Sequence, residues 1–219
     1  MRLALFRQTW GGTGLDETSE AAAARRHREK MQKRKTLQDA EVAGKTITNK
    51  GLLIVHTGPG KGKSTAAFGL VLRALGHGWR VGVVQFGKGT WQSGERKILE
   101  GLGNVAWHTL GEGFTWETQD RDRDVRAARR AWDQALELMS DPAIRLLVLD
   151  ELNIALRYEH LPLEEVITAL AARPKELHVV VTGRNAKPEM IALADLVTEM
   201  TLIKHHFSAG VKAQEGIEF

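Results

Sequence analysis

The chain has 219 residues, 42% of them hydrophobic and 26% charged, the balance of a folded domain rather than a disordered chain. It contains no cysteine, which excludes disulfide scaffolds, thiolate metal sites, iron–sulfur clusters and thiol catalysis. The net charge is +4, but residues 21–50 hold nine Lys/Arg against three acids, whereas residues 51–219 hold 20 against 21. A body so nearly neutral offers no broad nucleic-acid surface, and nucleic acid is not the expected partner.

Residues 1–20 contain Gly11-Gly12-Thr13-Gly14, show no periodicity, and read as a disordered tail. The apolar stretch Leu3–Phe6 is too short for a secretory signal. No apolar run approaches the roughly 18–20 residues that a bilayer requires. A soluble, cytoplasmic protein with no membrane contact is expected. Residues 21–50 form a basic helical arm and a polar linker, with helix-forming composition from Ser19 to about Ala43. The cluster Arg25–Lys35 is either a solvated helix face or a patch that steers toward phosphate or an acidic partner.

From residue 51 to 219 short apolar runs alternate with helical segments. Strands are expected at Leu52–His56, Arg80–Phe86, Val105–Leu110, Arg145–Leu149, Leu177–Thr182 and Val197–Ile203. Their Val, Leu and Ile lack polar alternation, as in strands buried on both faces. Helices are expected at Ala66–Leu75, at Val125–Ser140 and at Leu163–Ala172 after Pro162. The order predicts an α/β fold with a mostly parallel sheet and helices on both faces.

The first strand runs into Gly58-Pro59-Gly60-Lys61-Gly62-Lys63-Ser64-Thr65 and then an apolar helix. That context makes a phosphate-binding loop, and the fold P-loop NTPase-like (RecA-like). Glycines let successive amides turn inward, and the helix N-terminus adds its positive end. Lys63 supplies charge to phosphate oxygens, and the Ser64 hydroxyl is placed for Mg²⁺ (or Mn²⁺). The usual spacing puts glycine at position 57, where this chain has Thr57. The strand Leu146–Leu149 ends in Asp150-Glu151, the form of a Walker B segment, so both carboxylates are expected to face the metal. Taken alone, they could equally cap the next helix.

The loop does not choose among hydrolase, kinase and transferase. No Asn-Lys-x-Asp guanine reader is present; the nearest match is Asn49-Lys50-Gly51-Leu52, upstream of the loop. In Gly111-Glu112-Gly113-Phe114-Thr115-Trp116-Glu117-Thr118, glycines border two aromatics. Phe114 and Trp116 either meet a flat ligand or plug the loop against the body. Gln85 and Lys88, just after the second strand, are candidates for nucleotide or metal-bound water. Arg73 and Arg184 are candidates for triphosphate or nucleoside, or else surface ion pairs. His205 and His206 are not assigned as ligands, because neighbours on a strand point to opposite faces.

Seven segments in order carry a resemblance: Gly58–Ser64, Val83-Val84-Gln85-Phe86, Gly113–Thr118, Val148-Leu149-Asp150-Glu151-Leu152, Leu161–Val166, Thr182-Gly183-Arg184-Asn185 and Gly210-Val211-Lys212-Ala213-Gln214. Together they resemble the P-loop type ATP:corrinoid adenosyltransferases, which act on cob(I)alamin or cob(I)yrinic acid a,c-diamide. The resemblance covers residues 22–219. It implies transfer of the 5′-deoxyadenosyl group of ATP to Co(I) of a corrinoid with release of triphosphate, in adenosylcobalamin biosynthesis or salvage. It further implies ATP held in the reverse sense along the loop, an external flavin or flavoprotein reductant, and a homodimer in which the arm folds over a partner's site. Phe114 and Trp116 would meet the corrinoid and exclude its lower axial ligand. Pro59 stands where the family has Asn, Gly87 where it has an apolar residue, and Ser208 where it has an acid. The alternative is a P-loop ATPase serving as a regulatory or nucleic-acid-associated module; a third reading is a nucleotide-binding scaffold without turnover.

Overall fold

The computed structural model describes residues 19–87, 93–111 and 120–218. They divide into two units, 1–48 and 49–219. The first unit holds helix α1 (Ser19–Ala43), which has no buried side chain. Its alanine run and pairs such as Lys35–Asp39, 2.6 Å apart at i,i+4, favour a helix without an apolar face. The helix starts at Ser19, two residues inside the expected tail. Residues 1–18 lie outside the described residues.

The second unit is built on β1 (Leu53–Thr57), β2 (Arg80–Gln85), β3 (Val105–Thr109), β4 (Ile144–Asp150), β5 (His178–Thr182) and β6 (Leu196–Glu199). The order across the sheet is β3-β2-β4-β5-β1-β6, and each neighbouring pair is parallel. Successive side chains enter opposite cores: Leu147 and Leu149 pack in one, Leu146 and Val148 in the other. Val179, Val181 and Val180 divide in the same way. A strand buried on both faces needs apolar residues at every position, which is why polar alternation is missing from the sequence.

Helices α2 (Lys63–Gly76) and α3 (Gly94–Gly101) cover one face, through Ala67, Phe68, Val71 and Leu99. The other face carries α4 (Arg121–Ser140), α5 (Leu152–Arg157), α6 (Leu163–Ala171) and α7 (Pro188–Leu193). Helix α4 begins four residues before the expected Val125. Asp120 caps it, its side chain accepting from Arg123 N–H at 3.0 Å. Helices α3, α5 and α7 are six to eight residues long, too short to leave a periodic signal.

Strand β6 differs most from expectation. It spans Leu196–Glu199 rather than Val197–Ile203, and all four residues are exposed at the sheet edge. Its pairing with β1 ends at Thr57–Glu199, where β1 turns into the glycine loop. Beyond that point the Met200 carbonyl accepts from Gly60 N–H at 2.6 Å instead. The chain thus leaves the ladder to brace the loop.

Candidate active site

In a parallel sheet all the C-terminal strand ends open onto one edge, where such folds bind ligands. Here that edge receives the loop after β1, Gly87 after β2, Glu151 after β4 and Arg184 after β5. They line a cavity of about 400 Å³, within the usual range for small-molecule sites.

The glycine loop is shaped by what lies against it. Gly58 has φ 96° and Gly62 φ 100°, the left-handed region that glycine alone enters freely. A Cβ at Gly58 would lie 2.5 Å from the Met200 carbonyl oxygen, and one at Gly60 would lie 2.6 Å from that of Thr201. The loop therefore needs glycine at 58 and 60 to pack beneath the segment after β6. Thr57 explains the missing glycine: its hydroxyl accepts from Ala186 N–H at 3.1 Å, and the turn begins one residue later.

Lys63 opens α2 and is buried. Its ammonium donates to the carbonyls of Gly58 at 3.0 Å and Gly60 at 2.5 Å. Burial lowers its pKa, Glu151 pulls the other way, and Arg184 and Lys61 lower it further. Lys61, Lys63 and Arg184 thus gather positive charge around the cavity, with Ser64 and Thr65 on its wall.

The two acids after β4 part company. Glu151 lines the cavity, while Asp150 is fully buried and does not. Asp150 Oδ2 accepts from Gln85 Nε2 at 2.9 Å, and Oδ1 accepts from the Thr182 hydroxyl at 2.7 Å. Gln85 Oε1 in turn accepts from Trp107 Nε1 at 3.1 Å and the Thr109 hydroxyl at 2.9 Å. Both acids are expected to face a metal; of the two, Glu151 lines the cavity and Asp150 lies behind it. Glu151 adopts φ 63° and ψ 20° at the start of α5, a left-handed conformation costing about 1–2 kcal/mol for a residue with a Cβ.

Of the expected site residues, Gly60, Lys61, Gly62, Lys63, Ser64, Thr65, Glu151 and Arg184 come together in the cavity wall. Gly58 shapes the loop from behind, and Pro59 is exposed outside the cavity. Gln85 is the last residue of β2, not after it, and its amide is engaged with Asp150. Arg73 is exposed on the last turn of α2. At 1.5 Å per residue it lies about 15 Å along the helix from Lys63 and away from the cavity. Lys88, Phe114 and Trp116 lie outside the described residues. His205 and His206 are not on a strand, and their rings stack at 4.7 Å.

Sequence reasoning missed part of the wall. Arg157 and Tyr158 come from the end of α5, and Ile217 and Glu218 from the C-terminal segment. Glu218 pairs with Lys61, and its Oε1 lies 3.2 Å from His206 Nε2. The hydrogen bond from Lys61 lowers the Glu218 pKa. The only signal for Glu218 was its place just after the Gly210–Gln214 segment. Gly87 also borders the cavity, where a Cβ would stand 3.4 Å from that of Glu151.

The family pattern for ATP:corrinoid adenosyltransferases of the BtuR/CobO/CobP type matches residues 49–219. The chain belongs to this family. A second pattern, for the N-terminal part of cob(I)alamin adenosyltransferases, matches residues 16–42. The chain is 54% identical over 195 residues to a corrinoid adenosyltransferase of Pseudomonas aeruginosa, covering 89% of this chain and 96% of that one. It is 51% identical over 214 residues to one from Sinorhizobium sp, covering 96% and 98%. Corrinoid adenosyltransferase CobA of Salmonella typhimurium is 49% identical over 194 residues, covering 89% and 98%. Family membership makes ATP the co-substrate.

Proposed function

We propose that this adenosyltransferase moves the 5′-deoxyadenosyl group of ATP onto Co(I) of a corrinoid and releases triphosphate. The reading is supported above all by the family match across 49–219, joined to a phosphate-loop cavity lined by Lys61, Lys63 and Arg184. Co(I) supplies an electron pair to the ribose C5′, the C5′–oxygen bond breaks, and that bond's electrons leave on triphosphate. No side chain needs to take a proton. The protein holds the reactants in line and stabilises charge as it accumulates on the leaving group. Lys63, the loop amides and Arg184 carry that task.

A divalent cation fits the donors present. Mg²⁺ prefers oxygen ligands and commonly binds through one or two carboxylates plus substrate phosphates. Ser64 and Glu151 line one cavity, and among the described residues no group of three or more His, Asp or Glu could hold a metal by itself. Ser64 and Glu151 would therefore hold Mg²⁺ or Mn²⁺ together with phosphate oxygens, Asp150 supporting from behind. The ion would supply charge neutralisation on triphosphate.

ATP lies along the loop with C5′ toward the corrinoid, the reverse of the usual sense. Lys88 reaches nucleotide or metal-bound water. Phe114 and Trp116 exclude the lower axial ligand from Co(II), which eases its reduction by an external flavin or flavoprotein. The enzyme works in the cytoplasm as a homodimer. Incubation with ATP, Mg²⁺ and reduced corrinoid tests the assignment. Triphosphate and a new cobalt–carbon absorbance are expected, and ADP with phosphate would refute it. Phe114→Ala should slow the Co(II) route far more than a reaction started from chemically prepared Co(I); equal losses would remove the axial-ligand role.

A further inference from the structure

Thr182 is the last residue of β5 and is fully buried. Its hydroxyl donates to Asp150 Oδ1 at 2.7 Å and accepts from the backbone N–H of Glu151 at 2.9 Å. A threonine hydroxyl has one proton and two lone pairs, so it can do both at once. One side chain on β5 therefore grips both consecutive acids at the end of its neighbour β4.

The grip falls where the backbone needs it. Glu151 sits at φ 63°, a conformation that persists only where the surroundings impose it. Gly183 completes the mould: a Cβ there would lie 2.9 Å from that of Asn153 and 3.2 Å from Glu151 Oε2. Asn153 Nδ2 donates back to the Gly183 carbonyl at 3.2 Å. The end of β5 thus encloses Glu151 from the backbone to the carboxylate. Gln85 holds the other oxygen of Asp150, so Asp150 cannot swing to take a place in the cavity without breaking a buried bond.

We propose that Thr182 is a positioning residue: its hydroxyl locks the Glu151 backbone against Asp150 and so aims the Glu151 carboxylate into the phosphate-loop cavity. The inference rests on the reading of Glu151 as a metal carboxylate. It assigns a role to the Thr182-Gly183 segment that neither the phosphate loop nor the two acids supply. Thr182→Val keeps the shape and removes both hydrogen bonds, whereas Thr182→Ser keeps them.

The test is calorimetric titration of ATP into the full-length enzyme, with and without Mg²⁺ and without corrinoid. Mg²⁺ should strengthen ATP binding to the wild type and to Thr182→Ser. In Thr182→Val that strengthening should fall by about tenfold or more, the usual effect of losing a partner that orients a metal ligand. Metal-free ATP affinity should stay within about twofold, since the loop itself is untouched. Glu151→Gln serves as the reference. If it loses the Mg²⁺ effect and Thr182→Val does not, the positioning role is overturned while Glu151 remains a metal carboxylate. If Glu151→Gln loses nothing, both readings fall. Should Thr182→Val fail to fold, Thr182→Ala carries the test, because it removes the hydroxyl and both of its hydrogen bonds without placing a methyl against the Asp150 carboxylate. An undiminished Mg²⁺ effect there overturns the proposal.

Discussion

Two parts of the cavity wall are held by opposite means. At the ends of β4 and β5, Asp150, Thr182 and Gln85 are buried and joined by hydrogen bonds of 2.7–2.9 Å. At the C-terminal segment, Glu218 is held by Lys61 and His206, and the Lys61 side chain is 49% exposed. A buried donor stripped of its acceptor carries the whole desolvation penalty, so the first part is rigid. A surface ion pair is worth little and is screened by salt, so the second can yield. The rigid part backs Glu151 in the cavity wall, and the yielding part holds Lys61 beside the glycine loop. The enzyme fixes what must be aimed and leaves loose what must exchange partners.

Lys63 tests the point where the two parts meet. Lys63→Ala should lower adenosyl transfer by about 100-fold or more, the usual cost of deleting one preorganised charge-stabilising donor. Its fold should remain, as judged by circular dichroism. Loss of less than about tenfold would move the catalytic burden elsewhere on the loop.

Asp150→Ala attacks the rigid part. It leaves the Gln85 amide and the Thr182 hydroxyl without their acceptor, at about 1–3 kcal/mol for each buried group. Urea denaturation should show a total loss of about 2–6 kcal/mol. A loss below about 0.5 kcal/mol, typical of a surface site, would show that this wall is not rigid.

His56 lies on β1 just before the loop, is buried, and hydrogen-bonds to nothing among the described residues through either ring nitrogen. Burial lowers its pKa below 6.5. The unfolded chain therefore binds a proton that the folded chain refuses, and stability falls as pH drops through about 6.5. His108, His160 and His178 are lowered by burial as well. Unfolding free energy between pH 5 and 7 should rise with pH, and His56→Phe should flatten part of that slope. An unchanged slope would show that His56 is not a buried neutral group.

The smallest effect belongs to the yielding part. Glu218→Gln removes the anion paired with Lys61, freeing that ammonium for the proposed triphosphate contact. ATP binding should tighten by about two- to fivefold at low salt, the range of an exposed pair, with no measurable change in stability. Weaker binding would mean that Glu218 holds Lys61 in place for the nucleotide.

Legibility in the sequence followed the same division. The phosphate loop, Asp150-Glu151 and Arg184 could be read because each sits at the end of an apolar run that is itself contiguous. Arg73 misled: it belongs to the right helix but lies about 15 Å along it, and linear nearness hid that distance. Glu218 and Tyr158 went unseen because their sequence neighbours carry no motif. The separate fates of Asp150 and Glu151 were also invisible, since they depend on Gln85 and Thr182 from two other strands.

By itself the sequence determined the parallel α/β architecture, the glycine loop that joins β1 to α2, and the family. Those depend on local periodicity, on glycines placed within seven residues, and on motifs in order. The tertiary structure alone decided which acid reaches the cavity, which glycines are sterically obligatory, and what closes the loop from the C-terminal side. Such choices are made by contacts between residues far apart in the chain, and a side chain's direction there is set by the partner that satisfies it.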